Sequence, residues 1–459
     1  MTVNRENAPG LYLGVVPITQ IGGSLQLGGP GDVVEWAVHL RRFDENATLD
    51  RLAAKGALGP ALIDKLARAI VTAHGRAPVR DGRRATNALR GVAAETSQEL
   101  SDATDVFSPE LTAIYARDLA AAFKHVESLL TRRGELGQVR RCHGDLHLGN
   151  VVLVDGSPIL FDAIEFDDAI ATSDVLYDLA FLVMDLCERG LRSDANHLLN
   201  RYLLLSDDES LQVEGLAAFP FFLSLRAAIR SKVAVTLGRS HPEKKAPSED
   251  ALAYFEAARR FLCPMPPQLI AIGGLSGTGK TTIATAVAPF IGRAPGALHF
   301  RSDVERKHLF GVAETIHLAT DAYQTEISLQ VYGRLRELAL KGLHAGQSVI
   351  VDATHHHPEE RDAIAAIAAR ESASFLGVWL EAPAEVLRHR VLERKGDASD
   401  ATPLVLASQI TEPVGDITWS KLDAAQRLCA LESAVVELAQ RAGSATPDDI
   451  GRLSRKATG

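Results

Sequence analysis

The sequence predicts two domains, an α+β domain followed by an α/β domain whose parallel sheet is covered by helices on both faces. The chain has 459 residues, which is more than one hydrophobic core usually serves. The proline-rich residues 263–267 cannot continue the helical pattern before them and mark a linker. Beyond the linker, apolar strand patterns alternate with helical ones. We therefore expect domains over 1–262 and 268–445 and a polar tail over 446–459.

The first domain is expected to begin with strands and to continue with helices. Apolar, β-branched runs flank a glycine-rich turn near the start, and later segments follow the apolar period of a helix. An Asp-Gly pair between two apolar runs predicts a hairpin. In chain order, the sequence predicts β structure over 11–43, helices over 47–73 and 108–132, a hairpin over 151–161, helices within 172–236, a loop over 240–250 and a helix over 249–262.

The second domain is expected to contain strands that alternate with helical segments. The predicted strands are 269–274, 297–303, 348–354 and 375–383. Parallel strands that are connected by helices end at one edge of the sheet, and open α/β sheets bind ligands at that edge. Side chains that follow these strands are therefore candidates for a site.

Composition and charge restrict the partners and the compartment. The formal net charge of −9 disfavours nucleic acid or an anionic membrane as the main partner, because such surfaces attract basic proteins. The four cysteines form no CxxC pair, so neither a zinc site nor a disulfide framework is predicted. The sequence start shows no signal-peptide pattern, and no apolar run is long enough to span a bilayer. We expect a cytoplasmic protein with a small-molecule partner, and its oligomeric state stays open.

A phosphate-binding loop is predicted after the first strand of the second domain. The stretch Gly274–Thr281 matches the pattern GxxxxGK[ST], follows an apolar strand and opens a helix. Its backbone amides and Lys280 suit the phosphates of ATP, and the Thr281 hydroxyl suits Mg²⁺. The alternative is a glycine-rich turn that binds nothing. The predicted nucleotide-binding residues are Gly274, Leu275, Ser276, Gly277, Thr278, Gly279, Lys280, Thr281 and Thr282.

Two aspartates follow later strands of the same sheet. Asp303 is placed to accept a proton from an attacking hydroxyl, although Ser302 and Asp303 also suit a helix N-cap. Asp352 ends an apolar strand and is predicted to act on Mg²⁺ directly or through water. No glutamate follows it, which favours phosphate transfer over hydrolysis. His355–His357 come next, and we expect loop residues there and not a metal site.

An arginine-rich segment from residue 388 to 403 is predicted to be a lid. Arg390 and Arg394 are spaced one helical turn apart, which would place both on one face of a helix. Guanidinium groups suit phosphate oxygens and the charge of the transfer step. The alternative is a solvated helix face followed by a cap, for which Thr402 and Pro403 fit the first positions of a new helix.

The segments GLSGTGKT, RSDVERK, VIVDAT and RHRVLERKGDASDA together resemble small-molecule P-loop kinases of the gluconate-kinase, polynucleotide-kinase and zeta-toxin kind. The resemblance covers about 268–442. It implies that Asp303 is the general base and that the lid arginines Arg390 and Arg394 act in catalysis with Lys280. These motifs are specific for ATP binding, and they leave the acceptor open.

The first half contains a second candidate catalytic loop. The stretch from His143 to Asn150, HGDLHLGN, precedes the predicted hairpin, whose second strand ends at Asp162. It resembles the catalytic loop of the aminoglycoside-phosphotransferase family, whose fold is protein-kinase-like. The resemblance implies that Asp145 is the base and that Asn150 and Asp162 are metal ligands, with Asp178 at a structural position. The alternative is a hairpin loop that is merely rich in capping residues.

The small N-terminal lobe of such kinases is expected to be incomplete here. In those kinases a strand lysine contacts the α- and β-phosphates. The first lysine of this sequence is Lys55, after the stretch Trp36–Phe43, which resembles the strand that leads into the interlobe hinge. We therefore expect a partial lobe over about 1–45. Either translation starts at Met1, or upstream coding sequence was missed.

The order of the two halves resembles bacterial two-domain proteins that fuse an aminoglycoside-phosphotransferase-like domain to a P-loop kinase. The resemblance implies a kinase that uses ATP and Mg²⁺ and acts mainly through its second domain, with the first domain as a second or vestigial phosphotransferase. One alternative is a nucleotide-dependent switch that regulates a degenerate kinase-like module. Another is a zeta-toxin-like kinase of nucleotide sugars, and an oligonucleotide kinase is disfavoured by the acidic charge.

Overall fold

The chain folds into two units. The computed structural model describes residues 2–240, 246–394 and 397–444. The first unit comprises Met1–Glu209 with Ala218–Cys263, and the second comprises Ser210–Ala217 with Pro264–Gly459. The chain passes between the units at the start of the expected linker over 263–267. The expected tail over 446–459 lies outside the described residues.

One segment departs from the domain boundaries that the sequence predicts. Residues 210–217 fall within the predicted first domain, 1–262, but they pack with the second unit. Within that unit, Glu214 pairs with Lys341 at 3.2 Å, and the carbonyl of Leu216 accepts a hydrogen bond from Gln347 at 3.2 Å. A helical apolar period identifies such a segment as a helix, but it does not specify which core receives the apolar side.

Antiparallel strands and a set of helices form the first unit. Its strands are β1 (Tyr12–Ile21), β2 (Ser24–Leu27), β3 (Asp32–Leu40), β4 (Val139–Arg141), β5 (Val151–Val154), β6 (Ser157–Leu160) and β7 (Thr172–Asp174). Its helices are α1 (Thr2–Asn7), α2 (Leu49–Ala54), α3 (Pro60–Arg76), α4 (Gly82–Asp102), α5 (Pro109–Glu135), α6 (Asp168–Ala171), α7 (Val175–Glu188), α8 (Arg192–Leu205), α10 (Phe219–Ser240) and α11 (Ala246–Leu262), while α9 (Glu209–Gly215) starts in this unit and continues into the second.

The strands form one three-stranded sheet and two small pairs. The sheet has the order β2-β1-β3 and is antiparallel, with Gly22 and Gly23 at positive φ in its first turn. Strands β5 and β6 form the predicted hairpin, in which Val151 pairs with Leu160. The pair β4 and β7 is also antiparallel.

Helices supply most of the core of the first unit. Helix α7 is buried from Val175 to Leu186 and contacts α8 and α10. It starts where the Asp174 carboxylate accepts a hydrogen bond from the amide of Leu176 at 2.9 Å. The sequence did not predict α4, whose exposed face is highly polar. Among the described residues, none of the helices combines the length and apolar character that crossing a bilayer requires.

The predicted loop over 240–250 is partly wrong. Helix α11 starts at Ala246, which is before the predicted start of that helix at 249. Pro247 does not prevent this, because a proline in the first turn of a helix removes only an amide that has no partner within the helix. Residues 241–245 lie outside the described residues.

The second unit is a five-stranded parallel sheet flanked by helices. Its strands are β8 (Gln268–Gly274), β9 (Leu298–Arg301), β10 (Val349–Asp352), β11 (Ser374–Glu381) and β12 (Ser420–Asp423). Its helices are α12 (Lys280–Val287), α13 (Ser302–Leu309), α14 (Thr325–His344), α15 (Pro358–Arg370), α16 (Ala384–Glu393), α17 (Pro403–Thr411) and α18 (Leu428–Ser444).

The sheet has the order β12-β11-β8-β10-β9, and each neighbouring pair is parallel. Ile270 and Ile272 pack with α12 and α18, and the alternate residues Leu269 and Ala271 are also fully buried. Both faces of β8 are therefore covered, as the apolar strand predicts. Strand β12, which is short and polar, was not predicted.

The close approach of α4 to α5 gives a test of packing in the first unit. A Cβ atom on Gly82 would lie 2.3 Å from the Cα atom of Gly134, so neither backbone leaves room for a methyl group. We expect Gly82→Ala to lower the free energy of unfolding by about 1–3 kcal/mol. Gly91, in the same helix, has no atom within 4 Å of the place that a Cβ atom would occupy, and Gly91→Ala is expected to raise stability by about 0.5–1 kcal/mol.

Both substitutions are measured by urea unfolding of the full chain, followed by far-ultraviolet circular dichroism. Equal effects of the two substitutions would contradict the close helix approach.

Candidate active sites

The phosphate-binding loop of the second unit connects β8 to α12. Gly274, Gly277 and Gly279 have φ values of 137°, 87° and 85°, which other residues rarely adopt. A Cβ atom on Gly277 would lie 2.8 Å from the carbonyl oxygen of Leu387. The turn therefore favours glycine at all three positions, and the backbone that packs against the loop also leaves no room for a side chain at Gly277.

Groups of the loop that suit phosphate are hydrogen-bonded within the protein. The Lys280 ammonium donates to the carbonyl oxygens of Gly274 at 2.9 Å and Leu275 at 3.1 Å. The amide of Ser276 donates to the side-chain oxygen of Gln409 at 2.9 Å. Burial lowers the pKa of Lys280, and the nearby carboxylates of Asp352 and Asp303 oppose this effect.

Asp352 lies at the end of β10 and contacts the start of α12. The Thr281 hydroxyl donates to its carboxylate at 2.5 Å. Burial alone would raise the pKa of Asp352, but His299, Lys280 and Arg301 outweigh burial and hold the pKa at about 2. The hydroxyl and the carboxylate are hard oxygen donors, which are the ligands that Mg²⁺ prefers. These two residues fit a magnesium ion.

Asp303 lies in the first turn of α13, next to the strand end at Arg301. The helix starts at Ser302, and its N-cap position is Arg301, with no side-chain capping bond. The alternative role of Asp303 as an N-cap is therefore wrong. Burial and then the charge of Asp352 raise the pKa of Asp303, against the effects of Arg301 and Lys280.

The lid segment differs from the sequence prediction at Arg394. Helix α16 ends at Glu393, and Arg394 has an extended backbone, so Arg390 and Arg394 do not share a helix face. Arg390 donates to the carbonyl of Ala424 at 2.9 Å, and Arg394 lies 3.7 Å from Asp397. The cap of the next helix is confirmed, because the Thr402 hydroxyl accepts a hydrogen bond from the amide of Val405.

Two ion pairs that the sequence did not predict link the lid segment to the end of β9 and to α13. Arg301 donates to Asp397 at 2.8 Å, and the buried Lys307 ammonium donates to Asp400 at 2.7 Å. Asp400 also accepts from the Tyr323 hydroxyl at 2.7 Å. No local pattern identifies such pairs, since their partners lie more than ninety residues apart in the chain.

The predicted catalytic and metal-binding residues of the second unit line one cavity of about 1120 Å³. They are Lys280, Thr281, Asp303, Asp352, Arg390 and Arg394. The cavity also contacts Ser276, Gly277, Gly279 and Thr282 of the predicted nucleotide site. Gly274, Leu275 and Thr278 do not line it. The Thr278 hydroxyl instead donates a hydrogen bond within the loop, to the Leu275 carbonyl at 2.8 Å.

The candidate site of the first unit is built around Asp145. The Asn150 amide donates to the Asp145 carboxylate at 2.9 Å, and His147 lies 3.5 Å from the same oxygen. Partial burial would raise the pKa of Asp145, but His147 and then Arg226 outweigh it and lower the pKa. Asp145 is therefore a charged carboxylate with about 40% of its side chain exposed.

The second predicted metal ligand, Asp162, follows the hairpin. The amide of Phe161 donates to the carbonyl of Asn150 at 3.0 Å, which brings the chain before Asp162 next to Asn150. Asp162 has a positive φ of 60°, and its amide donates to the hydroxyl of Tyr12 at 2.9 Å. The side-chain oxygens of Asn150 and Asp162 are of the kind that binds Mg²⁺.

The buried carboxylate of Asp178 is hydrogen-bonded to the backbone of the candidate catalytic loop. Its carboxylate accepts the amides of His143 at 3.3 Å and Gly144 at 2.8 Å, and lies 3.1 Å from His74. Burial would raise the pKa of Asp178, but His74 and then His143 outweigh burial and hold the pKa at about 2. The strand lysine that such kinases use has no counterpart in β1, β2 or β3, whose sequences contain no lysine.

Comparison with known proteins assigns a class to each unit. Residues 26–213 match the model of the phosphotransferase enzyme family, and residues 269–412 match the model of an AAA domain. Both units thus carry the folds of kinase families, which typically use ATP with Mg²⁺. The chain is a two-domain fusion, in which a kinase-like phosphotransferase domain precedes a P-loop kinase domain. This assignment supports a small-molecule kinase.

The chain is similar over most of its length to uncharacterized proteins of mycobacteria. An uncharacterized protein of Mycobacterium tuberculosis is 26% identical over 436 residues, which are 92% of this chain and 83% of the relative. Among solved structures, a sugar kinase from Janibacter is 24% identical, with a TM-score of 0.29, and the match covers 39% of this chain and 98% of that one. An ethanolamine kinase from Plasmodium vivax is 14% identical, with a TM-score of 0.34 and coverage of 50% and 66%.

The role of Asp178 can be tested by stability. We expect Asp178→Ala to lower the free energy of unfolding by about 3–5 kcal/mol, because it leaves His74 and two backbone amides without their buried partner. Asp118, whose ion pair with Arg117 is exposed, is the matched control, and Asp118→Ala is expected to change stability by less than about 0.5 kcal/mol. Urea unfolding measures both, and a mild effect of Asp178→Ala would show that the loop holds its shape without this carboxylate.

Proposed function

We propose that the chain is a kinase that uses ATP and Mg²⁺ to phosphorylate a hydroxyl group of a small molecule, mainly in its second unit. One observation carries this proposal. Lys280, the Thr281–Asp352 pair and Asp303 line one cavity, and they differ in the chemistry they offer. They provide a phosphate contact, a pair of magnesium ligands and a carboxylate whose pKa is raised.

Each residue has a defined part in the proposed reaction. The backbone amides of the loop and Lys280 bind the β- and γ-phosphates. Bound through Thr281 and Asp352, Mg²⁺ would neutralise charge on these phosphates. Asp303 accepts the proton of the acceptor hydroxyl while the oxygen of that hydroxyl bonds to the γ-phosphorus. The bond from the γ-phosphorus to the β–γ bridging oxygen breaks, and ADP is released.

In the proposed reaction, the lid arginines stabilise the negative charge on the transferring phosphoryl group. Arg394 lies beyond the end of α16, and its contact with Asp397 at 3.7 Å is longer than a hydrogen bond. We propose that Arg394 and Arg390 turn to the transferring phosphoryl group when nucleotide binds, since guanidinium groups match its oxygens.

The first unit supports a second candidate function. Its loop contains Asp145 and Asn150, and Asp162 follows the neighbouring hairpin, which favours a second phosphotransferase and a bifunctional enzyme. The absence of a lysine from β1–β3 favours a degenerate module that the nucleotide-binding unit regulates. A small-molecule acceptor remains a prediction, which the net charge of −9 supports. A cytoplasmic location also remains a prediction, which four cysteines without a CxxC pair support.

A screen for ADP release assigns activity to a unit. The full chain is incubated with ATP, Mg²⁺ and sugars, polyols, sugar acids, nucleosides, amino alcohols or aminoglycosides. We expect Lys280→Ala to abolish acceptor-dependent ADP release, because the phosphates lose their only loop ammonium contact. Lys421→Ala is the control, since Lys421 is exposed and pairs with Glu381.

The outcomes separate the proposals. Full activity of Lys280→Ala together with loss in Asp145→Ala would move the activity to the first unit. Nucleotide binding without acceptor-dependent ADP release across the whole panel would favour the switch. Growth arrest on expression that depends on Lys280 would favour a toxin-like kinase.

The raised pKa of Asp303 predicts the pH dependence of the reaction. The base must be deprotonated to act, so we expect kcat/KM to fall about tenfold per pH unit below the pKa of Asp303, which lies above the usual value for an aspartate. Asp303→Asn is expected to lose about 10²–10⁴-fold in kcat and to lose this acid limb. Asp321→Asn, at an exposed position in the same unit, should keep both. An unchanged acid limb in Asp303→Asn would assign the base to another group.

A further inference from the structure

One face of α14 lines the cavity of the second unit. Arg336 lies on this face, one helical turn after Tyr332 and two turns after Ser328, and all three residues line the cavity. A Cβ atom on Gly333 would be 3.9 Å from the Nη2 atom of Arg336. The guanidinium is therefore directed toward the N-terminal end of α14, as long side chains of helices usually are.

The guanidinium of Arg336 has no partner within the described part of the chain. Arg336 is half-buried and forms neither a hydrogen bond nor an ion pair there. None of its guanidinium nitrogens is shut off from solvent, so a ligand can reach them. Arg334, on the same helix, by contrast pairs with Glu337 at 3.2 Å. Arg336 therefore presents to the cavity a positive charge that no described carboxylate pairs with.

A second arginine of the same wall, Arg306, is also without an ion pair among the described residues, although it is only 6% exposed. Its guanidinium donates to the carbonyl of Ala322 at 2.6 Å and to the hydroxyl of Ser328 at 3.3 Å, and it lies 4.6 Å from the centre of the Tyr323 ring. These contacts provide hydrogen bonds, but they do not neutralise the charge. A buried charge without a counter-ion is costly, so an anion nearby would be stabilised.

The two arginines lie on the side of the cavity that adjoins Asp303. Arg306 follows Asp303 by three residues on α13, so the two side chains share a helix face. The hydrogen bond from Arg306 to Ser328 joins this face to α14, which carries Arg336. Under the proposed function the acceptor brings its hydroxyl to Asp303. The arginines therefore border the space that the rest of the acceptor would occupy.

Other polar groups of this wall are already bonded to protein. The Tyr332 hydroxyl shares a hydrogen bond with the Thr354 hydroxyl at 3.0 Å. The Glu360 carboxylate accepts the amide of His357 at 3.3 Å, at the start of α15. Arg336 differs from these groups in having no described partner. The usual partners of a guanidinium are carboxylates and phosphates, whose oxygens match its planar set of donors.

We propose that Arg336 selects acceptors that carry an anionic group, a carboxylate or a phosphate, in addition to the hydroxyl that receives the γ-phosphate. The guanidinium of Arg336 binds the oxygens of this group, and the charge of Arg306 strengthens the attraction. This inference rests on the proposed kinase function of the second unit. It adds the class of acceptor and a residue that determines it.

The test compares matched acceptors that differ in the acidic group, by ADP release from ATP and Mg²⁺ with the full chain. The carboxylate pairs are D-gluconate with D-glucitol, D-glucuronate with D-glucose, and pantothenate with panthenol. The phosphate pair is α-glycerophosphate with glycerol. We expect at least one anionic member to be phosphorylated with a kcat/KM about tenfold or more above that of its neutral partner, which is about 1.4 kcal/mol. The pair that responds decides between carboxylate and phosphate.

Three variants keep the test specific. Arg336→Gln removes the charge and is expected to raise the KM of the anionic acceptor about tenfold or more, while the KM for ATP stays unchanged. Arg336→Lys keeps the charge without the paired donors and is expected to recover part of the affinity. Arg370→Gln is the control, because Arg370 is exposed at the end of α15. Thermal unfolding checks that each variant is folded.

Several results would overturn the inference. An unchanged KM for the anionic acceptor in folded Arg336→Gln would do so, and an equal rise in the KM for ATP would assign Arg336 to the nucleotide. Lys280-dependent activity that is equal for the two members of every pair would overturn the acceptor class but leave the kinase proposal standing. If no compound supports Lys280-dependent ADP release, both proposals fail.

Discussion

The site of the second unit depends on the parallel pairing of β10 with its two neighbours. Asp352, the last residue of β10, is in register with Ile272 of β8 and with Arg301 of β9. The phosphate-binding loop follows β8, and Asp303 follows β9. Three segments that are distant in the sequence therefore meet at one sheet edge, and a register shift in either pairing would separate the proposed magnesium ligands from the proposed base.

The same arrangement shifts the pKa values of two carboxylates, those of Asp352 and Asp303, in opposite directions. His299, Lys280 and Arg301 overcome the effect of burial on Asp352 and keep its pKa at about 2. Asp303 is affected by burial and by the charge of Asp352, so its pKa moves the other way. A pair of acidic groups with opposite shifts suits one permanent ligand and one proton acceptor. In this arrangement the charge of one carboxylate helps to set the pKa of the other.

Much of the fold and part of the site are predictable from the sequence, because they are encoded locally. A phosphate-binding loop combines glycines, a lysine and a strand pattern within a few residues, and the hairpin at β5–β6 has its own turn signal. Other features depend on tertiary contacts. The position of Arg394 depends on where α16 ends, and the contact of Asp400 depends on Lys307, ninety-three residues away.

The hydrogen bonds within the phosphate-binding loop have a consequence for ligand affinity. Lys280 is bonded to two carbonyl oxygens, and the amide of Ser276 is bonded to Gln409. Under the proposed function, an incoming triphosphate would therefore exchange one set of partners for another, and only the difference in free energy would contribute to its binding. Because Gln409 belongs to α17, the proposed exchange would also break this contact between that helix and the loop. Under the proposed function, nucleotide binding would thereby alter the contact between the loop and α17, which lines the cavity through Val405 and Gln409.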